Sequence, residues 1–297
     1  MTSTSLPLDQ SLDQSPADYI TLLKPKVMTL VVFAGFVGLY LTPEFHAMHG
    51  AVMAAAMLSL AIGAGAAGAI NMWYDRDIDA VMTRTQNRPV PSGRISADAA
   101  LGFGVIMAGL SVLTMMICTN LLAASLLAFS IFFYAVIYTM GLKRSTPQNI
   151  VIGGAAGAFP PVIMAAAASG EVTAVSLALF ALIFFWTPPH FWALALLIKD
   201  EYARAGVPMM PVANGVASTK RQMLIYTLVL LTVSLAPTLL GVTGWIYGAA
   251  ALVLSGLFII SAVRVMRSDD TRPARAMFGY SIVYLFALLA LMIIDKV

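Results

Sequence analysis

Long apolar runs separated by short polar breaks fill the chain from about residue 25 to its end. A helix needs about 20 mostly apolar residues to cross a bilayer. Nine runs qualify: 25–43, 50–72, 98–118, 120–141, 149–169, 174–197, 222–241, 244–264 and 275–294. The expected fold is therefore all-α, a multi-pass transmembrane bundle of nine helices forming one domain over residues 18–297. Local chemistry agrees at two starts. Ser96 can cap the third span, and Thr146-Pro147 offers a cap followed by proline at the first helical position of the fifth. Gly63-Ala64-Gly65-Ala66-Ala67-Gly68 and Gly153-Gly154-Ala155-Ala156-Gly157 read as close-packing faces, because small residues let helix backbones approach in lipid. Residues 1–17 are rich in Ser, Asp and Gln and lack the basic start and apolar core of a signal peptide. They are expected to form a flexible tail.

Composition confirms the solvent. The 297 residues are 60% apolar and only 10% charged, against roughly 25% charged in soluble proteins. The mean hydropathy of +0.88 puts most of the surface against lipid. A single cysteine, Cys118, rules out an intrachain disulfide and any cysteine-based metal site. The net charge of +3 is spread over short breaks, with no basic helix to suit nucleic acid.

That charge reports orientation instead. All of the 17 basic residues except Lys296 fall in breaks on one side of the nine spans. Positive loops stay in the cytoplasm, which puts the N-terminus inside and the C-terminus in the periplasm of a bacterial-type inner membrane. The opposite loops are short, with Glu44, His46, His49 and Glu171, and both histidines there read as solvated. Function belongs to the basic side.

The stretch richest in chemistry closes the second span. Asn71, Asp75 and Asp79 recur every four residues. Each such step drifts about 40° around a helix with roughly 6 Å of rise, so all three share one face. Asp77 lies about 200° from Asp75 and falls outside it. Ionisable groups at membrane depth are costly and mark function. Asp and Asn oxygens suit Mg²⁺, which commonly bridges to substrate phosphates. The loop continues through Arg84, Asn87, Arg88, Pro89 and Pro91, and guanidinium forks match phosphate oxygens. Metal on carboxylates with arginines beside it describes a diphosphate site.

A second long break follows Trp186-Thr187-Pro188-Pro189-His190-Phe191-Trp192 and carries Asp200, Glu201 and Gly206-Val207-Pro208-Met209. Paired prolines each remove a backbone donor and clash with the preceding turn, so a broken helix is expected there. Asp200 and Glu201 offer a second set of hard oxygens. His190 is the only histidine within a motif, and its ring suits a metal or an interfacial hydrogen bond.

Asn71-x-x-x-Asp75-x-x-x-Asp79 followed by Arg84-Thr-x-x-Arg88-Pro89 resembles the first motif of the UbiA superfamily of intramembrane prenyltransferases. That resemblance implies a nine-helix fold, Mg²⁺ and an isoprenoid diphosphate. His190-Phe191-Trp192, the Ala205–Met209 segment, Tyr138 to Asn149 and Lys24-Pro25 are similar to the branch that farnesylates heme, over about residues 18–295. Farnesyl diphosphate and heme b are then the implied substrates, with the product passing to a heme A synthase. Asp75, Asp79, Lys143 and Asp200 are implied as catalytic, with Asp75, Asp79, Asp200 and Glu201 on the metal. Asn71, Arg84, Arg88, Arg144, Tyr138 and His190 would meet substrate, and Tyr74 and Tyr134 join Tyr138 as shields for a cation. One departure weakens the second metal set: Phe191 stands near the place of an aspartate found in many superfamily members.

Two rival readings are a prenyltransferase for an aromatic acceptor such as 4-hydroxybenzoate and a membrane transporter. The His-Phe-Trp run disfavours the first. Charges crowded at one end, with no inverted halves, disfavour the second.

The orientation is checked by reporter fusions. Fusions after Arg88 and Ala213 are expected to report cytoplasm and one after Val297 periplasm. A cytoplasmic signal after Val297 would make the helix count wrong by one.

Overall fold

A computed structural model describes residues 15–297. The stretch expected as a tail lies outside the described residues for 1–14, and Ser15 already caps a helix. The order is α1 (Pro16–Leu22), α2 (Pro25–Tyr40), α3 (Gly50–Tyr74), α4 (Arg76–Val81) and α5 (Ala97–Cys118). Then come α6 (Leu121–Leu142), α7 (Asn149–Ser169), α8 (Ala174–Leu197), α9 (Lys199–Arg204) and α10 (Met210–Ala213). The chain ends with α11 (Val216–Ser234), α12 (Ala236–Leu239), α13 (Trp245–Arg267) and α14 (Arg272–Ile294). Among the described residues eight helical stretches are long and apolar enough to cross a membrane, α11 and α12 counting together. The bent pair α1 and α2, at 55°, makes a ninth. The protein is a multi-pass helical membrane bundle.

Most expected spans match to within a turn, for reasons visible at their ends. The Ser96 hydroxyl accepts from the Ala99 amide at 3.2 Å and opens α5 where expected. The Thr146-Pro147 expectation is corrected: α7 begins at Asn149, and Thr146 instead accepts from the Gln148 amide at 3.2 Å in the turn before it. The seventh span starts six residues earlier than its apolar run, because Lys220 and Arg221 sit on the helix itself.

The paired prolines require a larger correction. Both Pro160-Pro161 and Pro188-Pro189 lie inside continuous helices. A proline frees the carbonyl four residues back, and a membrane helix survives if a neighbour supplies a donor. Pro160 frees the Ala156 carbonyl, which the Ser130 hydroxyl of α6 reaches at 3.4 Å. Both proline pairs are fully buried, so flanking helices hold the chain in helical form.

Two large hydrophobic clusters form most of the core, with two smaller ones at the basic end. One large cluster joins α2, α7, α8, α11, α13 and α14; the other joins α2, α3, α5, α6 and α7. The pair α2 and α7 serves both, as the spine of the bundle. Gly38 allows this, since a methyl group there would overlap the Pro161 backbone. Gly38→Ala should overpack the spine and cost roughly 1–3 kcal/mol. Gly256→Ala, with nothing within 4 Å of the added carbon, should be neutral or better. Thermal unfolding of the detergent-purified variants checks the contrast, and equal melting temperatures would contradict it.

Candidate active site

The basic end of the bundle gathers the polar residues. Helix α3 closes at Asp75 and α4 begins at Arg76, yet the four-residue ladder survives the junction. The Asp75 amide donates to the Asn71 carbonyl at 2.9 Å, and the Asp79 amide to the Asp75 carbonyl at 2.8 Å. Asn71, Asp75 and Asp79 are therefore buried together, at 4%, 0% and 2% exposure. Asp77 points outward.

Cations surround the buried carboxylates. Lys143 pairs with Asp75 Oδ2, and Asn71 Nδ2 donates to the same oxygen at 2.6 Å. Arg88 pairs with Asp79 at 2.6 Å. Thr85 donates its hydroxyl to the Asp79 carbonyl at 2.9 Å and pins the returning loop. Lys24 reaches Asn71 Oδ1 at 2.9 Å. Asn71 thus links a lysine to a carboxylate, and Thr139 Oγ1 accepts its remaining amide proton at 3.1 Å.

Local backbone makes these placements. Lys24 is the one non-glycine residue with positive φ among the described residues, at 53° in the break between α1 and α2. The left-handed region costs an L-residue about 1–2 kcal/mol, and such strain persists where surroundings impose it. Here Pro25 starts α2 abruptly, and Gly68 leaves room for the Lys24 stem: an added carbon at Gly68 would come 3.3 Å from it. The end of α6, Phe133–Leu142, is wound as a π-helix. Its wider turn lets the Lys143 amide reach back five residues to Tyr138 at 2.8 Å, and delivers Thr139 and Lys143 to α3. Asn149 is fully buried and donates to the Lys143 carbonyl at 3.0 Å, while its own Oδ1 has no partner.

Other expected residues sit apart from the two buried carboxylates. Arg144 spends its fork on Asp77, with contacts of 2.6 and 2.7 Å, and reaches Asp75 only at 3.5 Å. That hydrogen bonding holds the Asp77 carboxyl down to about 2. The Arg144 guanidinium also lies over the Tyr74 ring, 5.0 Å from its centre. Arg84 is hydrogen-bonded to the Tyr202 phenol, whose burial raises its pKa above the usual value. Glu201 carries a buried, unpartnered Oε2, whereas Asp200 is exposed on α9. Of the second acidic pair, only Glu201 turns inward. Tyr134 and Tyr138 lie 5.4 Å apart, and Tyr138 packs on Gly153. His190 is buried between Trp186 and Phe278, with Nδ1 2.6 Å from Ser281 Oγ.

Sequence reasoning did not place Lys24, Thr139 or Asn149 in this cluster. Lys24 had one visible signal, a lysine directly before proline at the start of an apolar run. Thr139 and Asn149 fell inside the Tyr138–Asn149 segment that carries the resemblance, but only the fold brings them to α3.

The donor set suits Mg²⁺. Among the described residues no three carboxylate, histidine or thiol groups are gathered into a cage of their own. Mg²⁺ usually takes one or two carboxylates and completes its shell with water and substrate phosphates. Asp75 and Asp79 on one face provide that pair, and the lysines and arginines around them suit an anion.

Comparison with known proteins agrees. The profile of the UbiA prenyltransferase family matches residues 29–289, and the chain belongs to that family. Within it, the chain is 51% identical over 305 residues to a protoheme IX farnesyltransferase of Granulibacter bethesdensis, covering 99% of this chain and 95% of that protein. It is 56% identical to a protoheme IX farnesyltransferase 2 of Mesorhizobium japonicum, covering 96% and 91%. Two solved structures share the fold at low identity. One, from a study of digeranylgeranylglyceryl phosphate synthase, is 17% identical with a TM-score of 0.79, over 94% of this chain and 97% of that one. The other, a UbiA homolog from Archaeoglobus fulgidus bound to GPP and Mg²⁺, is 18% identical with a TM-score of 0.67, over 92% and 99%.

Asp75→Asn and Asp79→Asn should each cut prenyl transfer by roughly 10²–10³-fold, the range seen when a stabilising charge at developing negative charge is lost. Asp77→Asn, on an exposed pair, should cost less than tenfold. Turnover of monodisperse variants checks this, with size-exclusion profiles excluding misfolding. Equal loss at all three positions would overturn the division between faces.

Proposed function

We propose that this chain transfers the farnesyl group of farnesyl diphosphate to a vinyl group of protoheme IX, converting heme b to heme O. The observation that carries the chemistry is the burial of Asp75 and Asp79 on one face beneath Lys24, Lys143 and Arg88. The acceptor follows from the shared identity of 51–56% with protoheme IX farnesyltransferases over nearly the whole chain.

Asp75 and Asp79 hold Mg²⁺, with Asn71 beside them and Glu201 across from them. Bound there, Mg²⁺ supplies positive charge to the diphosphate oxygens. Lys143, Arg88, Arg84 and Lys24 supply the remainder from fixed positions as the bond from the farnesyl carbon to oxygen breaks. The electron pair leaves with the diphosphate. The vinyl π electrons then form the new carbon–carbon bond, and the resulting cation beside the porphyrin takes up water and loses a proton. Tyr134 and Tyr138 wall the allylic cation from early quenching, together with the apolar bundle. The basic end faces the cytoplasm of a bacterial inner membrane, and heme O passes onward to a heme A synthase.

Membranes expressing the chain should contain heme b enlarged by farnesyl plus water, detected by mass spectrometry of extracted porphyrins. Chelation by EDTA should stop its formation in purified protein, and Mg²⁺ should restore it. Transfer of farnesyl to 4-hydroxybenzoate with heme b unaltered would overturn the assignment of acceptor.

A further inference from the structure

The surroundings of His190 determine which of its nitrogens carries the proton. Ser281 Oγ lies 2.6 Å from the Phe278 carbonyl oxygen one turn back on α14. Two oxygens this close require a hydrogen between them, and the carbonyl has none to give. The single serine proton is therefore committed to Phe278. His190 Nδ1 lies 2.6 Å from the same Oγ, so the proton of that bond belongs to the ring. A neutral imidazole carries one proton, which leaves Nε2 as a bare lone pair.

The ring is also held against rotation. Trp186 stacks on one face with centres 4.3 Å apart and planes 18° from parallel. Phe278 covers the other at 4.7 Å and 23°. Trp186 is fixed in turn, donating its indole N–H to the Ser281 carbonyl at 2.7 Å. Phe191 stands nearly perpendicular to the ring with centres 5.0 Å apart, and with both faces and Nδ1 covered Nε2 is the ring nitrogen left without a hydrogen-bond partner. No hydrogen bond among the described residues uses it, and it is not one of the sealed polar atoms lacking partners. Metal-binding histidines are arranged in this way: the distal N–H is donated to a fixed acceptor, which orients the ring and raises the basicity of the ligating nitrogen.

We propose that His190 Nε2 ligates the iron of the bound heme, and that Ser281 is the positioning residue that sets its tautomer. This rests on heme as the acceptor. His190 stands seven residues before the end of α8, about 10 Å below it at 1.5 Å per residue. Iron ligation there holds the porphyrin within the bundle, deeper than the Asp75–Asp79 cluster that takes the diphosphate. Acceptor and leaving group are thereby assigned to different depths.

Heme and metal-free protoporphyrin IX are titrated separately into the full-length detergent-purified chain and followed by the Soret band. For heme, His190→Ala should abolish the ligation-dependent Soret shift and weaken binding at least tenfold, and added imidazole should restore the shift. For metal-free protoporphyrin the same variant should bind within twofold of the wild type. Ser281→Ala should weaken heme binding severalfold by releasing the tautomer, whereas Ser281→Thr, which keeps the hydroxyl, should stay near wild type. An unchanged Soret band in His190→Ala, or equal losses for the two porphyrins, would overturn iron ligation. Equal behaviour of Ser281→Ala and Ser281→Thr would overturn the role of Ser281. A wild-type chain that farnesylates heme with no ligation signal refutes only the ligation. A chain that neither binds heme nor farnesylates it refutes the acceptor assignment beneath it.

Discussion

Two carboxylates with almost no access to water sit at the end of an apolar bundle, and the rest of the site follows from making that tolerable. An unpaired buried charge costs several kcal/mol, more than a typical single contact supplies. Asp75 and Asp79 are therefore matched by Lys143 and Arg88, with Lys24 held through Asn71. The basic side chains gathered around the two carboxylates suit a site that receives an anion. Those cations come from distant points in the chain: the α1–α2 break, the loop after α4 and the end of α6. The acidic face thus fastens together the basic ends of several helices as well as holding ligands.

The fold was legible because lipid simplifies the code. A span has to be apolar for about 20 residues, and basic residues have to gather on one side, so counting alone recovered nearly every helix. The misjudged features involve neighbours that a linear reading cannot see. Pro188-Pro189 looked like a break because the local cost of proline is real. The rule that failed was locality, since Ser130 of α6 meets the carbonyl that Pro160 frees in α7.

The site divides along the same line. Asn71, Asp75 and Asp79 were recoverable because their spacing is helical and all three belong to one segment. Asp200 and Glu201 were adjacent candidates that sequence could not separate; a difference of one residue around α9 exposes the first and buries an oxygen of the second. Arg144 looked like another cation for the diphosphate, but its fork is taken by Asp77. Lys24 depends on a left-handed backbone at one position and on Gly68, forty-four residues later, having no side chain.

The π-wound end of α6 makes the length of that helix matter as much as its composition. Over Phe133–Leu142 the helix is wound more widely than an ordinary one, and at its end the Lys143 amide reaches back five residues to Tyr138. Deleting one residue from its α-wound part, Leu121–Phe132, would turn everything beyond it by roughly 100°. Lys143 would leave Asp75, although the deleted side chain touched neither. Across α6, then, side chains on the lipid face can be exchanged freely, while the number of residues cannot change by even one. An insertion or deletion here would act on the chemistry as directly as losing the lysine.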